Sequence, residues 1–453
     1  MAMTATRPQR SAQELATIDR RLIVHPYLPS STEERVVMVE GHGCRLRDAD
    51  GREYLDATGG LWLAQIGHGR REVAEAAARQ MERLEYFTSF WEFSNDRAIE
   101  LAELLVSVSP PKQTHVYFTS GGSEGNEAAL KLSRYAHWRR GETGRTWILA
   151  RRQAYHGVGY GSGTATGFPV YHDGFGPMLP HVRHLTPPWP YRGELFDGDD
   201  PSDFCIRELE QAIAEIGPEN IAAFIGEPVM GVAGMVVPPD DYWTRVQELL
   251  REHGITLIFD EVVSAYGRVG RWFAAEHFGV QPDIIVTAKG ITSGYAPLGA
   301  VLISDEIAEA VTEEGFPMGY TYNGHPTACA VALANLHLIE NEGLLERARE
   351  TGAYILERFG ELTELPVVGE VRGVGMMHAV ELVADRETRE PLPMHAAPQD
   401  LIRRETGVIV RDCQHNLVIS PPLIMSRDEA DEVVDAMRAV LERTRPSGSI
   451  TPA

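Results

Sequence analysis

The chain reads as an α/β protein built on a mostly parallel sheet with helices on both faces, joined to a smaller second lobe. Three observations lead there. Short, continuous, β-rich apolar runs ("HVYFTS", "TWILAR", "IAAFIGEPV", "ITLIFDEVV", "DIIVTAKG") alternate with helical stretches through the middle of the chain, the pattern of strands buried on both faces. The two ends differ from that middle. At 453 residues the chain is also long enough for one large core and a smaller one.

Taken in order, a polar start leads into "RVVMVEGHGCRLRDADGREYLDA", two alternating strand-like runs joined by a turn around Asp48 to Gly51. The stretches "REVAEAAARQMERL" and "DRAIELAELLVSV" carry helical Ala and Leu periodicity, and the alternating strands and helices follow. "TPPWPYRGELFDGDDPSD" reads as a long Pro- and Asp-rich surface loop. Beyond Ala330 come a long helix, the strand-rich "VVGEVRGVGMMHAVELV", a further helix-strand unit and the amphipathic "SRDEADEVVDAMRAVLERT". No internal repeat or low-complexity tract interrupts the chain.

The formal net charge is -23. It argues against a nucleic-acid or anionic-membrane partner and leaves small anionic ligands to local positive sites. Cys44, Cys205, Cys329 and Cys413 are widely spaced with no C-x-x-C pair, as in a reduced, cytosolic protein without structural zinc. "MAMTATRPQRSAQELATIDRR" lacks the apolar core of a signal peptide, and no apolar run reaches membrane-spanning length. A cytoplasmic protein is expected.

Basic residues number 42, of which only Lys112, Lys131 and Lys289 are lysine. A lysine kept against such an arginine bias suggests a task arginine cannot do, the loss of a proton and attack on a carbonyl. Lys112 in "SPPKQTH" and Lys131 on a helix face suit ordinary solvated roles. Lys289 follows a strand in "DIIVTAKG", where ligands of such sheets bind.

Other strand ends add to it. "HVYFTS" runs into "GGSEGNEAALKLSRYA", where backbone N–H groups, the Ser123 hydroxyl and a helix N-terminus suit a phosphate. A plain turn with Ser123 as N-cap is the alternative. No Walker pattern is present. "ITLIFDEVV" ends in Asp260 and Glu261, and a carboxylate there needs a partner. A protonated ring nitrogen is one; a divalent metal is the other, although no tidy His or carboxylate set lies nearby to complete its shell. In "RRQAYHGVGYGSGTATG", Tyr155 offers a flat surface to an aromatic cofactor, and the glycines after it make a weak dinucleotide signal. Phosphate cradle, aromatic platform, strand-end Asp and strand-end Lys together are the set that holds pyridoxal phosphate, with the lysine as Schiff-base partner and proton carrier.

With these motifs in this order, the chain resembles the class III pyridoxal-phosphate aminotransferases, in their ω-amino acid or amine:pyruvate branch, from "LRDADGREYLDATGGLW" to "VISPPL". The resemblance implies fold-type I, a large domain with a mostly parallel seven-stranded sheet and a small α+β domain from both termini. Residues 1–69 and 331–453 would form the small domain and 70–330 the large one. It implies homodimers with shared active sites; whether these pair into tetramers is left open. It implies that Lys289 in "TAKG" is the Schiff-base lysine and that Asp260 in "FDEV" pairs with the pyridine nitrogen. Val262 and Tyr155 would cover opposite ring faces. Gly122 and Ser123 would hold the phosphate, with Thr321 in "YTYNGHP" completing that site from the neighbouring subunit. At "SGGSE" many relatives carry a hydroxyl where this chain has Gly121. Trp62 in "GGLW", Glu227 in "GEPVMG", Val232 and Arg411 in "GVIVRDCQHNLVISPPL" would border the substrate, Arg411 binding a carboxylate and swinging aside for substrates without one.

The implied activity is ping-pong transfer of an amino group from an amine donor to a 2-oxo acid acceptor such as pyruvate. An aminomutase, epimerase or decarboxylase on the same fold stands beside it. A nicotinamide-dependent dehydrogenase built on the glycines after Tyr155 would leave Lys289 and Asp260 unexplained, and a non-catalytic binding protein would leave the filled cofactor positions unexplained. β-Alanine, taurine, putrescine, γ-aminobutyrate and aryl-alkyl amines all remain as donors.

Overall fold

In the computed structural model, which describes residues 10–29 and 31–451, three sheets order the chain. Near the N-terminus lie β1 (Met38–His42), β2 (Arg45–Asp48) and β3 (Glu53–Asp56). The two strand-like runs expected here are thus three strands: Gly43 takes a positive φ of 58° and turns the chain inside the first run. The large sheet comprises β4 (Gln113–Thr119), β5 (Trp147–Arg151), β6 (Val182–Leu185), β7 (Ile221–Gly226), β8 (Thr256–Asp260), β9 (Ile284–Thr287) and β10 (Gly299–Ser304). The C-terminal region adds β11 (Val368–Val374), β12 (Met377–Asp385), β13 (Glu390–Pro391), β14 (Val408–Ile409), β15 (Arg411–Cys413) and β16 (Asn416–Ile419).

The large sheet has seven strands in the order β4-β10-β9-β8-β7-β5-β6, with β10 antiparallel to both its neighbours and the other pairs parallel. Its two faces are built by alternation. Leu257 and Phe259 of β8, Ile285 of β9 and Leu302 of β10 enter one apolar core; Ile258, Ile284, Val286 and Val301 enter another on the opposite side. The helix Gly122–Arg139 covers the second face through Ala128, Ala129 and Leu132, and Trp243 and Val246 of the helix Tyr242–Glu252 cover the first. Every residue of β7 to β10 is therefore buried, and polar groups face the open only beyond the strand ends.

The smaller sheets join the two ends of the chain. β14 pairs in parallel with β3, with Val408 opposite Leu55, so a C-terminal strand completes the N-terminal sheet. β11, β12, β16 and β15 form the third sheet in that order, with β13 paired to β12 and β15 at an edge.

The stretch read as a surface loop is not one. Trp189, Arg192 and Phe196 are all buried. Its prolines shape a path that carries these large side chains inward, while Pro190, Glu194 and its Asp-rich end are exposed. Among the described residues no helix is long and apolar enough to cross a membrane.

Candidate active site

Beyond the carboxyl ends of β4, β5, β7, β8 and β9 lies a cavity of about 820 Å³. Lys289 stands in its wall, two residues past β9, with φ at 47°. Such a left-handed backbone costs a non-glycine residue roughly 1–3 kcal/mol and must be held by its surroundings. Desolvation pulls its amine down to about 8, and Arg411 and Arg268 act in the same direction, while Asp260 and Glu227 oppose it. Lys112, by contrast, pairs with Asp283 at 2.5 Å, and Lys131 is exposed.

Asp260, the last residue of β8, faces this cavity. Its Oδ2 accepts from Asn126 Nδ2 at 2.7 Å and lies 2.8 Å from Nδ1 of buried His156; its Oδ1 accepts the Val262 N–H at 3.1 Å. Glu261 turns the other way. It accepts N–H bonds from Ala274 and Ala275 at a helix start, and burial pushes it up to about 7. The Asp-Glu pair thus divides between site and scaffold, and no group of three or more metal-ligating side chains occurs among the described residues.

Gly122 and Ser123 begin the 18-residue helix Gly122–Arg139, whose N-cap Gly121 provides no side-chain bond. Its first N–H groups remain available to an anion. A methyl on Gly122 would sit 2.9 Å from the Val262 side chain, so glycine allows Val262 to close in on the cradle. Tyr155 lines the cavity after β5, its own N–H bonded to Glu227 Oε1 at 2.9 Å. The other Glu227 oxygen accepts from Gly231 N at 2.9 Å. Both oxygens therefore bond backbone N–H groups, and burial raises the Glu227 pKa.

Trp62 has φ of 63° and lies beneath two cations: Lys289 Nζ is 5.5 Å and Arg411 Cζ 4.8 Å from its ring. Val232 borders the same cavity. Gly121 stands just outside the lining, and Thr321 lies on the exposed surface away from it. Sequence reasoning overlooked Asn126 and His156. Asn126 sits one helical turn after Gly122, and His156 directly follows Tyr155, so spacing carried a signal for both. Tyr27 and Tyr171, stacked edge to face at 6.2 Å at the cavity wall, had none.

The donors fit pyridoxal 5'-phosphate: an uncapped helix start for the phosphate, a buried carboxylate for a ring nitrogen, an aromatic ring and a valine flanking the space, and a desolvated amine. Asn126 Oδ1 and His156 Nε2 are buried without a partner, which marks the polar floor of the cavity as incomplete by itself. Fold and site together are those of a fold-type I, pyridoxal-phosphate-dependent transferase.

The family model of the class-III aminotransferases matches residues 27–441, and the chain belongs to that family. It is 36% identical over 415 residues to the putrescine–pyruvate aminotransferase of Pseudomonas aeruginosa, covering 90% of this chain and 91% of that one. It is 39% identical over 413 residues to the diaminobutyrate–2-oxoglutarate transaminase of Halomonas elongata, covering 88% of each. A thermostable (S)-enantioselective omega-transaminase from Thermomicrobium roseum superposes with a TM-score of 0.92 at 45% identity, over 95% of this chain and 98% of that one. An amine transaminase from an uncultivated Pseudomonas species, in its PLP-bound form, gives 0.89 at 43% identity, over 92% and 98%. The protein is a pyridoxal-phosphate-dependent aminotransferase.

Proposed function

We propose that this aminotransferase takes its amino group from an ω-amino acid or amine and passes it to a small 2-oxo acid such as pyruvate, by a ping-pong mechanism. The observation that carries this reading is Arg411 lying over Trp62 beside Lys289: one cavity offers a guanidinium for a carboxylate and an aromatic wall for a substrate without one. The names of the P. aeruginosa and T. roseum relatives point the same way.

Pyridoxal phosphate supplies an aldehyde for the amine and a ring that accepts electron density from the substrate carbon. Lys289, when its nitrogen is free, moves the proton to and from that carbon, and its lowered pKa keeps neutral amine available near neutral pH. Asp260, oriented by Asn126 and His156, would hold the proton of the ring nitrogen. Tyr155 and Val262 would flank the cofactor ring, and Gly122 and Ser123, with Gly121 just behind them, would hold its phosphate. Trp62, Glu227, Val232 and Arg411 shape the substrate side.

The reading includes a homodimer with shared sites. Thr321 O accepts from Tyr86, and Phe87, Trp91, Phe93 and Tyr322 beside it are exposed, Trp91 by 83%. A second copy covering this aromatic patch would bring Thr321 to its phosphate. We also divide the chain as small domain 1–69 and 331–453 and large domain 70–330. The four cysteines are unpaired and buried, in keeping with a cytoplasmic setting.

The test is the visible spectrum of the holoenzyme. Loss of the yellow cofactor band with an amine and its return with pyruvate is the expected result. A band that no amine bleaches would point instead to aminomutase or decarboxylase chemistry.

A further inference from the structure

A cluster of buried charge outside the cavity touches both loops that line its substrate side. Arg192 Nη2 donates to Glu381 Oε1, and Arg372 Nη1 donates to Oε2 of the same carboxylate at 2.5 Å. Arg192, Arg372 and Glu381 are 7%, 9% and 0% exposed. Trp189 spreads its ring over both guanidinium groups, at 5.6 and 5.1 Å. Glu370 also accepts from Arg372, at 2.5 Å, so two cations meet two carboxylates. Burial disfavours the Glu381 anion, but His415 and the two arginines outweigh it and hold its pKa below the ordinary value. A carboxylate so placed is costly to disturb, because removing one partner leaves buried charge uncompensated.

Arg192 comes from the buried connection after β6, whereas Arg372 and Glu381 lie far along the chain on the paired strands β11 and β12. Three contacts carry the cluster to the site. Arg372 Nε donates to the Gly234 carbonyl at 2.8 Å, in the turn just after Val232. Its Nη2 donates at 2.6 Å to Asn416 Oδ1, and Asn416 is the register partner of Cys413 in β15. Gly234 has φ of 106°, and a methyl there would lie 2.5 Å from the Asn416 amide, so turn and strand press directly on each other. At the tip of the β15–β16 hairpin, His415 Nε2 lies 2.7 Å from Arg192 Nη2, with its ring nearly parallel to that of Trp189.

The hairpin needs such support. Its first turn residue, Gln414, takes φ of 58°, strained for a side chain. Arg411 begins β15, an edge strand of three residues whose only ladder partner among the described residues is β16. Nothing in its own sheet beyond β16 fixes where Arg411 points.

We propose that the Arg192–Glu381–Arg372 cluster is a strut that clamps the β15–β16 hairpin against the Val232 turn and so aims Arg411 at a substrate carboxylate, making these three positioning residues for the 2-oxo acid rather than for the amine. The inference rests on the reading of Arg411 as the carboxylate-binding residue. Lys289, Asp260 and the phosphate cradle stand on other elements and do not depend on it.

The test separates the two half-reactions in the holoenzyme: bleaching of the cofactor band by (S)-1-phenylethylamine, which has no carboxylate, and its restoration by pyruvate. Glu381→Gln should raise the pyruvate concentration for half-maximal restoration rate about tenfold or more while changing the amine half-reaction by less than about twofold. Arg192→Gln, which leaves the Arg372–Glu381 pair intact, should show a smaller loss in the same direction and serves if Glu381→Gln does not fold. Equal losses in both half-reactions, or no loss in either, would overturn the strut. Arg411→Ala is the control for the underlying reading. If it impairs restoration by pyruvate selectively while the strut variants do not, the strut alone fails. If it does not discriminate between the half-reactions, the carboxylate reading of Arg411 fails and the strut with it.

Discussion

The two walls of the cavity that we assign to cofactor and to substrate are built differently. Asp260 ends one central, fully buried strand and Lys289 follows another, and Asn126 and His156 lock the Asp260 carboxylate. Trp62, Val232 and Arg411 come instead from a short irregular helix, a turn and an edge strand. The difference teaches where this scaffold is fixed and where it can be retuned. A group at the end of a buried strand inherits the rigidity of two apolar cores, whereas one on an edge hairpin is only as well placed as its supporting contacts. Left-handed backbone at Tyr27, Trp62, Lys289 and Gln414, all lining the cavity, shows strain gathered around the site on both walls.

Breaking the cofactor wall should have the largest effects. Lys289→Ala should lower steady-state turnover by more than about a thousandfold, with circular dichroism and thermal melting close to the parent. Retained turnover would remove the lysine from the chemistry. Asp260→Asn, keeping shape but losing charge, should cost roughly a hundredfold in kcat. A loss below about threefold would mean the ring nitrogen needs no anion there.

The same wall sets a pH dependence. In protein freed of cofactor, recapture of pyridoxal phosphate should accelerate as pH rises to about 8 and level off above it. The sign follows from the lowered pKa: below it Lys289 is mostly ammonium, only the neutral amine attacks an aldehyde, and each unit of acidification costs about tenfold. Stopped-flow absorbance reads this directly, and a rate flat with pH would contradict a rate-determining Lys289.

The smallest effect belongs to the substrate wall. Val232→Ala should raise kcat/KM for bulky aryl-alkyl amines a few-fold at a stability cost of about 1 kcal/mol, since Val232 is only half-buried. Unchanged kinetics across a series of amine sizes would show that Val232 does not limit the pocket.

Legibility in the sequence followed the same division. The fully buried runs ending in Asp260 and Lys289 announced both strands and strand-end groups, because burial on two faces leaves a continuous apolar signature. β10, "GAVLIS", is equally buried but was hidden inside a glycine-rich stretch, and β6, "VRHL", is a half-buried edge strand without such a signature. The "TPPWPYRGELFDGDDPSD" segment misled because composition reports its exposed Asp-rich end, while the burial of Arg192 depends on Glu381, far along the chain. Pairings of that kind leave no local pattern to read. The family resemblance singled out Trp62, Glu227, Val232 and Arg411, all of which line the cavity; local pattern alone would have left them as an ordinary tryptophan, a strand-end acid, a loop valine and a surface arginine.

The pairing of β14 with β3 has a consequence for biogenesis. Leu55 N–H bonds to the Gly407 carbonyl and Ala57 N–H to that of Ile409. While the polypeptide emerges from the ribosome, the donors of β3 must wait until nearly all of it has been synthesised. Until then a half-finished sheet presents an open edge, the geometry that recruits stray strands. Nascent chains stalled before Val408 should therefore depend on chaperones far more than finished ones, although their central sheet is already complete.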